Sequence, residues 1–273
     1  MTGFVSTDEL RIGSGGGIRQ FGIWRGQPVL ARFGVEGTPG DPARHFEALQ
    51  RLRLDEVPEG LESGEIDGVH WTIEAFHEGR SLDRLPPTDT GQVAAFLARL
   101  PPANAPIAVV DLATRELSAF SVEVGDLATS IRTGLEDLPA VVAHGDLWAG
   151  NLLFRDGLLV GVIDWDSWQE RAIPGTDLLH MWAENTRRHR GLSYGDLVDE
   201  AFWSDGQLKG LVKAHLEQLG APWNPQLQSL LGAAWWLAAV SGALRRTPAL
   251  AQNPIWMNRN VHSPANTLTH LLT

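Results

Sequence analysis

The apolar positions change period along the chain, and each change marks an element. From residue 8 to 34, short apolar runs are cut by glycine and turn residues. ELRIG leads into the cluster GSGGG, and IRQFGIW and PVLARF flank the turn RGQ. This is strand–turn–strand spacing. The stretch EGTPGDPARHFEALQRLRL then switches to helical spacing. Asp41 followed by Pro42 is a helix start, with Asp as N-cap and Pro at the first helical position. Phe46, Leu49 and Leu52 give that helix an apolar face. GVHWTIEAF, residues 68–76, returns to strand, and HEGRSLDRLPP is a loop of turn formers. Beyond it the pattern predicts helices near 88–100, 122–137, 176–190, 206–219 and 224–246, with Thr176 capping the third and Gly220 closing the fourth. Three strand-like pieces, AVVAH, LLFRDG and LVGVIDW, sit among them. The expected organisation is a β-rich part over residues 1–77, a hinge near 74–80, and a larger helical part over 78–273. There are no repeats and no low-complexity tract.

Composition narrows the class. The 273 residues are 43% hydrophobic and 20% charged, as in a globular protein, with a formal net charge of −11. That charge argues against nucleic acid or an anionic membrane as a general partner. The absence of cysteine excludes disulfides, thiolate metal sites and a cysteine nucleophile. MTGFVSTDEL lacks the basic and apolar regions of a signal peptide. The most apolar run, LLGAAWWLAAVSGAL, residues 230–244, is shorter than the roughly 20 residues that span a bilayer. A buried helix there and a cytoplasmic location are the expectations. Lys209 and Lys213 are the only lysines among 22 Lys and Arg residues, so any cation needed in the first 200 residues is Arg or His.

The chemistry concentrates in VVAHGDLWAGNLLFRDGLLVGVIDWD, residues 141–166. Carboxylates set among apolar strands are costly unless they are compensated. Asp146 and Asn151 have D-x-x-x-x-N spacing, and Asp164 ends the apolar strand LVGVID thirteen residues on. A hairpin turning at Asp156-Gly157 returns Asp164 to the side of Asn151. Two carboxylates and an amide oxygen then converge at strand ends. Phosphoryl transfer needs such a set: oxygen ligands for Mg²⁺ and a separate carboxylate to orient the acceptor hydroxyl and take its proton. Asp146 fits the base, and Asn151 and Asp164 fit the metal.

HGDLWAGN followed by VIDWD resembles the catalytic and metal-binding motifs of the aminoglycoside phosphotransferase and choline kinase group. Protein kinases use H-R-D-x-x-x-x-N and then D-F-G; here Gly145 stands for the Arg and Trp165 for the Phe. The resemblance follows the motif order over residues 10–185. It implies a protein-kinase-like two-lobed α+β fold, with a small β-rich N-lobe and a larger, mostly helical C-lobe. It also implies ATP and Mg²⁺ as cofactors and a small-molecule hydroxyl as acceptor.

The same resemblance assigns the nucleotide side. Gly13, Ser14, Gly15, Gly16 and Gly17 would lay backbone N–H groups over the phosphates, although a plain hairpin turn reads equally well. Arg32, in PVLARF, stands where the fold needs a phosphate-holding cation, and arginine binds such oxygens bidentately. Glu47, the acid inside the predicted helix, would hold Arg32. Backbone groups around Glu74 and Phe76 would meet the adenine edge. His144 and Asp177 read as supports of the loop. Asp166 joins the metal site or meets the substrate, if it is not a solvated acid. His180, Glu184 and Arg188 repeat at i, i+4, i+8, a salt-bridged face or cleft wall rather than a metal site. Without an Arg at 145, and with only Ser167 and Thr176 between Asp164 and Asp177, activation by phosphorylation is not expected.

The acceptor wall falls to residues 176–260. The tryptophans there, Trp182, Trp203, Trp223, Trp235, Trp236 and Trp256, read mainly as core. Glu184, Asp196, Asp199, Glu200 and Asp205 suggest receptors for amines, hence an aminoglycoside, amino sugar or amino alcohol. HGDLW-x-GN also resembles fructosamine kinases. Two further readings stay open: a catalytically silent nucleotide-binding or regulatory module on this fold, and a metal-dependent hydrolase using the same carboxylates. Oligomeric state has no signature in the chain.

Overall fold

The computed structural model describes residues 3–7, 10–12, 16–38, 40–103, 109–120, 122–199, 206–221 and 223–272. The chain divides into two compact units, residues 1–92 with 149–168, and residues 93–148 with 169–273. A single boundary at residue 77 was expected. Instead the first unit runs on to Gln92 and takes back a hairpin from the middle of the chain.

The first unit is built on an antiparallel sheet. Its strands are β1 (Phe4–Ser6), β2 (Arg11–Ile12), β3 (Ile18–Trp24), β4 (Gln27–Val35), β5 (Gly60–Ile66) and β6 (Val69–Ala75). The order is β1-β3-β4-β6-β5, with β2 also on β3. Arg25-Gly26 and Asp67-Gly68 join neighbouring strands with both residues at positive φ, 50° and 85°, then 54° and 76°. Turns of that conformation match the right-handed twist of paired strands. Trp24, Val29, Trp71 and Ile73 form the core of the sheet's packed face, with Phe4, Phe33 and Leu61 against it.

Helix α1 (Ala43–Arg51) starts one residue later than the sequence predicts, with Pro42 and not Asp41 at the N-cap, while Asp41 Oδ1 accepts the Ala43 N–H at 3.0 Å. Its buried stripe is His45, Ala48 and Leu49, continued by Leu52. Strand β7 (Arg80–Ser81) follows, and α2 (Thr90–Leu97) leads into the second unit.

The second unit continues with β8 (Pro102–Ala103), α3 (Val109–Ser118), α4 (Gly125–Leu135) and β9 (Ala140–Ala143). The chain then returns to the first unit as the hairpin β10 (Leu152–Arg155) and β11 (Leu158–Val162). It turns at Asp156-Gly157, φ 53° and 78°, as the sequence predicts. Strand β10 also pairs with β7. The Gln92 amide clips the hairpin's turn, donating to Gly157 O at 2.8 Å and accepting from Leu159 N at 2.9 Å.

The rest is β12 (Gln169–Ala172), paired with β9, then α5 (Thr176–Arg190), α6 (Tyr194–Asp199), α7 (Gly206–Gln218), α8 (Pro225–Arg246), α9 (Pro254–Met257) and α10 (Ser263–Leu272). Gly175 and Gly191 bound α5, both left-handed at φ 83° and 66°. Helix α8 is the axis of this unit, packed by α3, α4, α5, α6 and α10. It is long and apolar enough to cross a membrane, but 83% of its most apolar window is buried in the protein. Trp235 and Trp236 lie in that core, and Trp236 Nε1 donates to Asn260 O at 2.9 Å.

Candidate active site

In the first unit, three strands, one helix and the hairpin deliver six charged or titratable groups to one place. Arg19 and Arg32 are direct cross-strand neighbours on β3 and β4. Both guanidinium groups reach Asp164 Oδ1, Arg19 Nη2 at 2.7 Å and Arg32 Nη1 at 3.1 Å. Arg32 is buried, and its other arm donates to Glu74 Oε1 on β6 at 3.4 Å. His45, fully buried on α1, closes the set: Nε2 contacts Glu74 Oε2, and Nδ1 accepts the Trp165 N–H at 3.1 Å. Asp166 stands 3.6 Å from Arg19, 3.7 Å from Arg32 and 3.6 Å from His45.

The charges of this cluster set its protonation. Burial pushes the Glu74 carboxyl up, but Arg32 and His45 outweigh it and hold the group at about 2. Asp164 is opposed by burial in the same way and is held well below the carboxylate range by Arg32 and Arg19. For Asp166 burial wins, helped by the negative Asp164, and the carboxyl is pushed up. Burial lowers Arg32, yet Glu74, Asp166 and Asp164 raise it further, so it stays charged.

Asp164 sits in the left-handed region, φ 68° and ψ 56°, just before the short 3₁₀ turn of residues 165–167. Few non-glycine residues adopt that conformation, and Asp is among those that do. The turn is anchored by Trp165, which is fully buried and donates from Nε1 to Val162 O at 2.8 Å. The hairpin carries Asp164 back as expected: Ile163 N donates to Asn151 O at 3.0 Å, which sets Asp164 next to the Asn151 strand end. An ionised carboxylate and an asparagine amide oxygen are both hard donors, which fits Mg²⁺; that ion takes one or two protein carboxylates and fills the rest from phosphate and water. Among the described residues no group of three or more His, Asp or Glu could hold a metal alone.

The structure corrects the expected partner of Arg32. Glu47 points outward on α1 and pairs with Arg51 at 2.9 Å, one helical turn on. Glu74 takes its place by side chain rather than backbone, since its backbone lies mid-sheet between Leu30 and Gly60. The signal was present in the sequence. His45 falls four residues before Leu49 and seven before Leu52, on the buried stripe, whereas Glu47 falls off it. Phe76 follows β6; its N–H donates to Pro28 O at 3.2 Å, and its ring meets Phe21 edge-on at 5.5 Å. Of the glycine cluster, Gly13, Ser14 and Gly15 lie outside the described residues. Gly16 is left-handed at φ 82°. A Cβ on Gly17 would stand 2.7 Å from Gly40 O, so that glycine admits a close backbone approach.

In the second unit, the loop after β9 holds Asp146. Asp177, at the start of α5, accepts the His144 N–H at 2.7 Å and the Gly145 N–H at 2.9 Å. His144 is fully buried and its Nδ1 accepts the Asp146 N–H at 3.3 Å. Both residues support the loop, as their positions suggested. Gly145 has φ 81°, which excludes most side chains. One contact was missed in the sequence: His180 Nε2 lies 3.2 Å from Asp146 Oδ1. Burial pushes the Asp146 carboxyl up, but that hydrogen bond and the charges of His180, His144 and Arg246 keep it below its ordinary value.

The acids nominated to receive amines are engaged. Glu184 is buried and accepts from Arg187 at 3.0 and 2.8 Å and from Arg188 at 3.3 Å. Asp196 accepts from Arg259 at 3.1 and 2.6 Å and caps its own helix through Ser193 N. The Asp199 side chain, Glu200 and Asp205 lie outside the described residues, as does Trp203.

The profile described as the phosphotransferase enzyme family matches residues 20–211. No curated protein matches the chain. Solved structures do. A thermostable mutant of aminoglycoside phosphotransferase APH(4)-Ia, in ternary complex with ADP and hygromycin B, is 13% identical, with a TM-score of 0.58 over 98% of this chain and 94% of that one. Aminoglycoside phosphotransferase APH(3'')-Id from Streptomyces rimosus, in complex with ADP and streptomycin, is 17% identical, with a TM-score of 0.54 over 84% and 92%. Plasmodium vivax ethanolamine kinase is 12% identical, with a TM-score of 0.61 over 96% and 81%. At these identities the likeness is one of fold, the kinase-like α+β fold that the motifs implied.

Proposed function

The chain belongs to the phosphotransferase enzyme family, and on that premise we propose that it is an ATP-dependent small-molecule kinase with Asp146 as the base. The observation that carries the reading is Asp164: ionised, held left-handed beside the Asn151 strand end, and gripped by Arg32. In this reading Arg32 and Arg19 serve the nucleotide's phosphates, with Glu74 and His45 fixing Arg32 in place of a helix glutamate. The glycine cluster, of which Gly16 and Gly17 are described, serves the phosphates, and the segment beginning at Phe76 meets the adenine edge. Asn151 and Asp164 would hold Mg²⁺, which when bound neutralises charge on the phosphates, with Asp166 as a further contact. Asp146, ionised at neutral pH, accepts a hydrogen bond from the acceptor hydroxyl and aims its oxygen at phosphorus. The reading places the protein in the cytoplasm, where ATP is supplied, with a small molecule as partner and neither nucleic acid nor membrane.

Structural neighbours solved with hygromycin B and streptomycin support an amine-bearing acceptor. The pairing of Glu184 and Asp196 with arginines does not.

Asp146→Asn tests the proposal. General-base carboxylates contribute about 10²- to 10⁴-fold, so turnover should fall by that order while the thermal shift given by ATP with Mg²⁺ is kept. Wild-type turnover that survives the substitution would overturn Asp146 as base. A wild-type protein that binds nucleotide but transfers nothing would favour the silent module.

A further inference from the structure

Arginine side chains gather near Asp146 within its own unit, although the whole chain carries a net charge of −11. His180 contacts the carboxylate directly. Trp148, two residues past Asp146, has the Arg188 guanidinium carbon over its ring, 3.9 Å from the centroid. Arg246, exposed at the end of α8, adds its positive field to Asp146 and to Tyr194. Arg187 lies 4.9 Å from the Tyr194 ring.

Among the described residues, the acids named near this set are already engaged. Glu184 is committed to Arg187 by two hydrogen bonds and reaches only the Nε of Arg188. Both Nη groups of Arg188 have no hydrogen-bond partner among the described residues, and neither does the Arg246 guanidinium. A guanidinium stacked on an indole keeps its N–H edge free and pre-aimed. That edge matches the two oxygens of a carboxylate or phosphate. A polyamine brought to the same place meets Arg188 and Arg246 with no free acid among the described residues named above.

We propose that the acceptor is a small hydroxyl compound carrying a carboxylate or phosphate group, which Arg188 and Arg246 bind while its hydroxyl faces Asp146. The inference rests on the kinase reading above and specifies its substrate class. In the transfer, the acceptor oxygen forms the bond to the γ-phosphorus, the bond from that phosphorus to the β,γ-bridging oxygen breaks, ADP leaves, and the hydroxyl proton passes to Asp146.

Matched pairs decide it: gluconate against glucosamine, glycerate against ethanolamine, and glucose 6-phosphate against kanamycin. Each is added to the full chain with Mg²⁺ and a non-hydrolysable ATP analogue for thermal shift, and with ATP for ADP release. The anionic member of at least one pair should stabilise and be phosphorylated, the two kinds of anion being told apart by which pair responds. Arg188→Gln and Arg246→Gln, both at exposed positions, should each raise KM for that compound roughly tenfold to a hundredfold with a smaller change in kcat. Preference for the amine in every pair, response to neither member of any pair, or an unchanged KM in both variants would each overturn the inference. So would loss of the nucleotide's own shift in Arg188→Gln, which would assign the arginine to the nucleotide. The shift with nucleotide and Mg²⁺ alone is read in the same melts; its absence in the wild type would sink the kinase reading itself and so mark that failure separately.

Discussion

Replacing Glu74 by Gln removes one charge from a buried set and leaves the shape almost unchanged. Glu74 is 3% exposed and serves both Arg32 and His45. Its carboxyl is held at about 2 against an ordinary 4.5, despite the opposing effect of burial. At about 1.36 kcal/mol per pH unit, that depression corresponds to folding stability on the order of 3 kcal/mol. The group is depressed in the folded state, so this stability is complete above the unfolded value of 4.5 and is lost as pH falls toward 2. Urea titrations of wild type and Glu74→Gln should therefore differ by about 3 kcal/mol at pH 7 and by about half that at pH 3. In thermal melts at pH 7 the substitution should cost about 6 °C for a chain of this size. Glu47→Gln is the control: its partner is a half-exposed Arg51 on the same helix, and such pairs are worth under about 0.5 kcal/mol. A loss below about 0.5 kcal/mol for Glu74→Gln, or one that stays constant down to pH 3, would refute the ionised and paired state assigned to Glu74.

Asp177→Ala frees two backbone N–H groups at His144 and Gly145; it should cost about 3 kcal/mol and lower kcat more than nucleotide affinity, as read by denaturant titration and steady-state kinetics. Gly145→Ala forces a Cβ into φ 81° and should cost about 1–2 kcal/mol, with the loss visible in the same titrations. Arg32→Lys replaces a fork that spans Glu74 and Asp164 with a single ammonium; KM for ATP should rise about tenfold or more, and an unchanged KM would remove Arg32 from the phosphate site.

The parts of the fold legible in the sequence are those whose local chemistry already decides the structure. Helix α5 was readable from its helical spacing, although Gly175 and not the expected Thr176 is its N-cap, α8 from its apolar run, and the hairpin from Asp156-Gly157. Strand β5 was not, because GLESGEI alternates glycine and acid instead of presenting an apolar face; its Asp67-Gly68 turn was the usable sign. Helices α3, α6, α9 and α10, none longer than ten residues, were missed too, lacking the long helical pattern that marks α5 and α8. In the candidate site, Asp146, Asn151, Asp164 and Arg32 were nominated from one local motif pair and one strand, and the first unit brings two of them, Arg32 and Asp164, into contact. The choice of Glu74 as partner of Arg32 was not legible, since it needs the pairing of β4 with β6, but the exclusion of Glu47 was readable from helix phase. Glu47 loses because helix phase turns it to solvent, and His45 enters because the same phase turns it in. The arginines around Asp146 were obscured by a search for acids in a chain whose overall charge is negative.

The hairpin that completes the first unit is made late. When the ribosome has finished residue 92, β1 to β7 and α1 exist, but Asp164, Trp165 and Asp166 have not been made. Another 76 residues, from 93 to 168, must follow, a wait of about 4 to 15 s at usual elongation rates. During it Arg19 has no Asp164 to hold, His45 has no Trp165 N–H to accept, and Arg32 has only Glu74. The first unit therefore matures after most of its chain has left the tunnel, and a nascent chain stalled between residues 92 and 163 would carry the sheet without the aspartate that its two arginines grip.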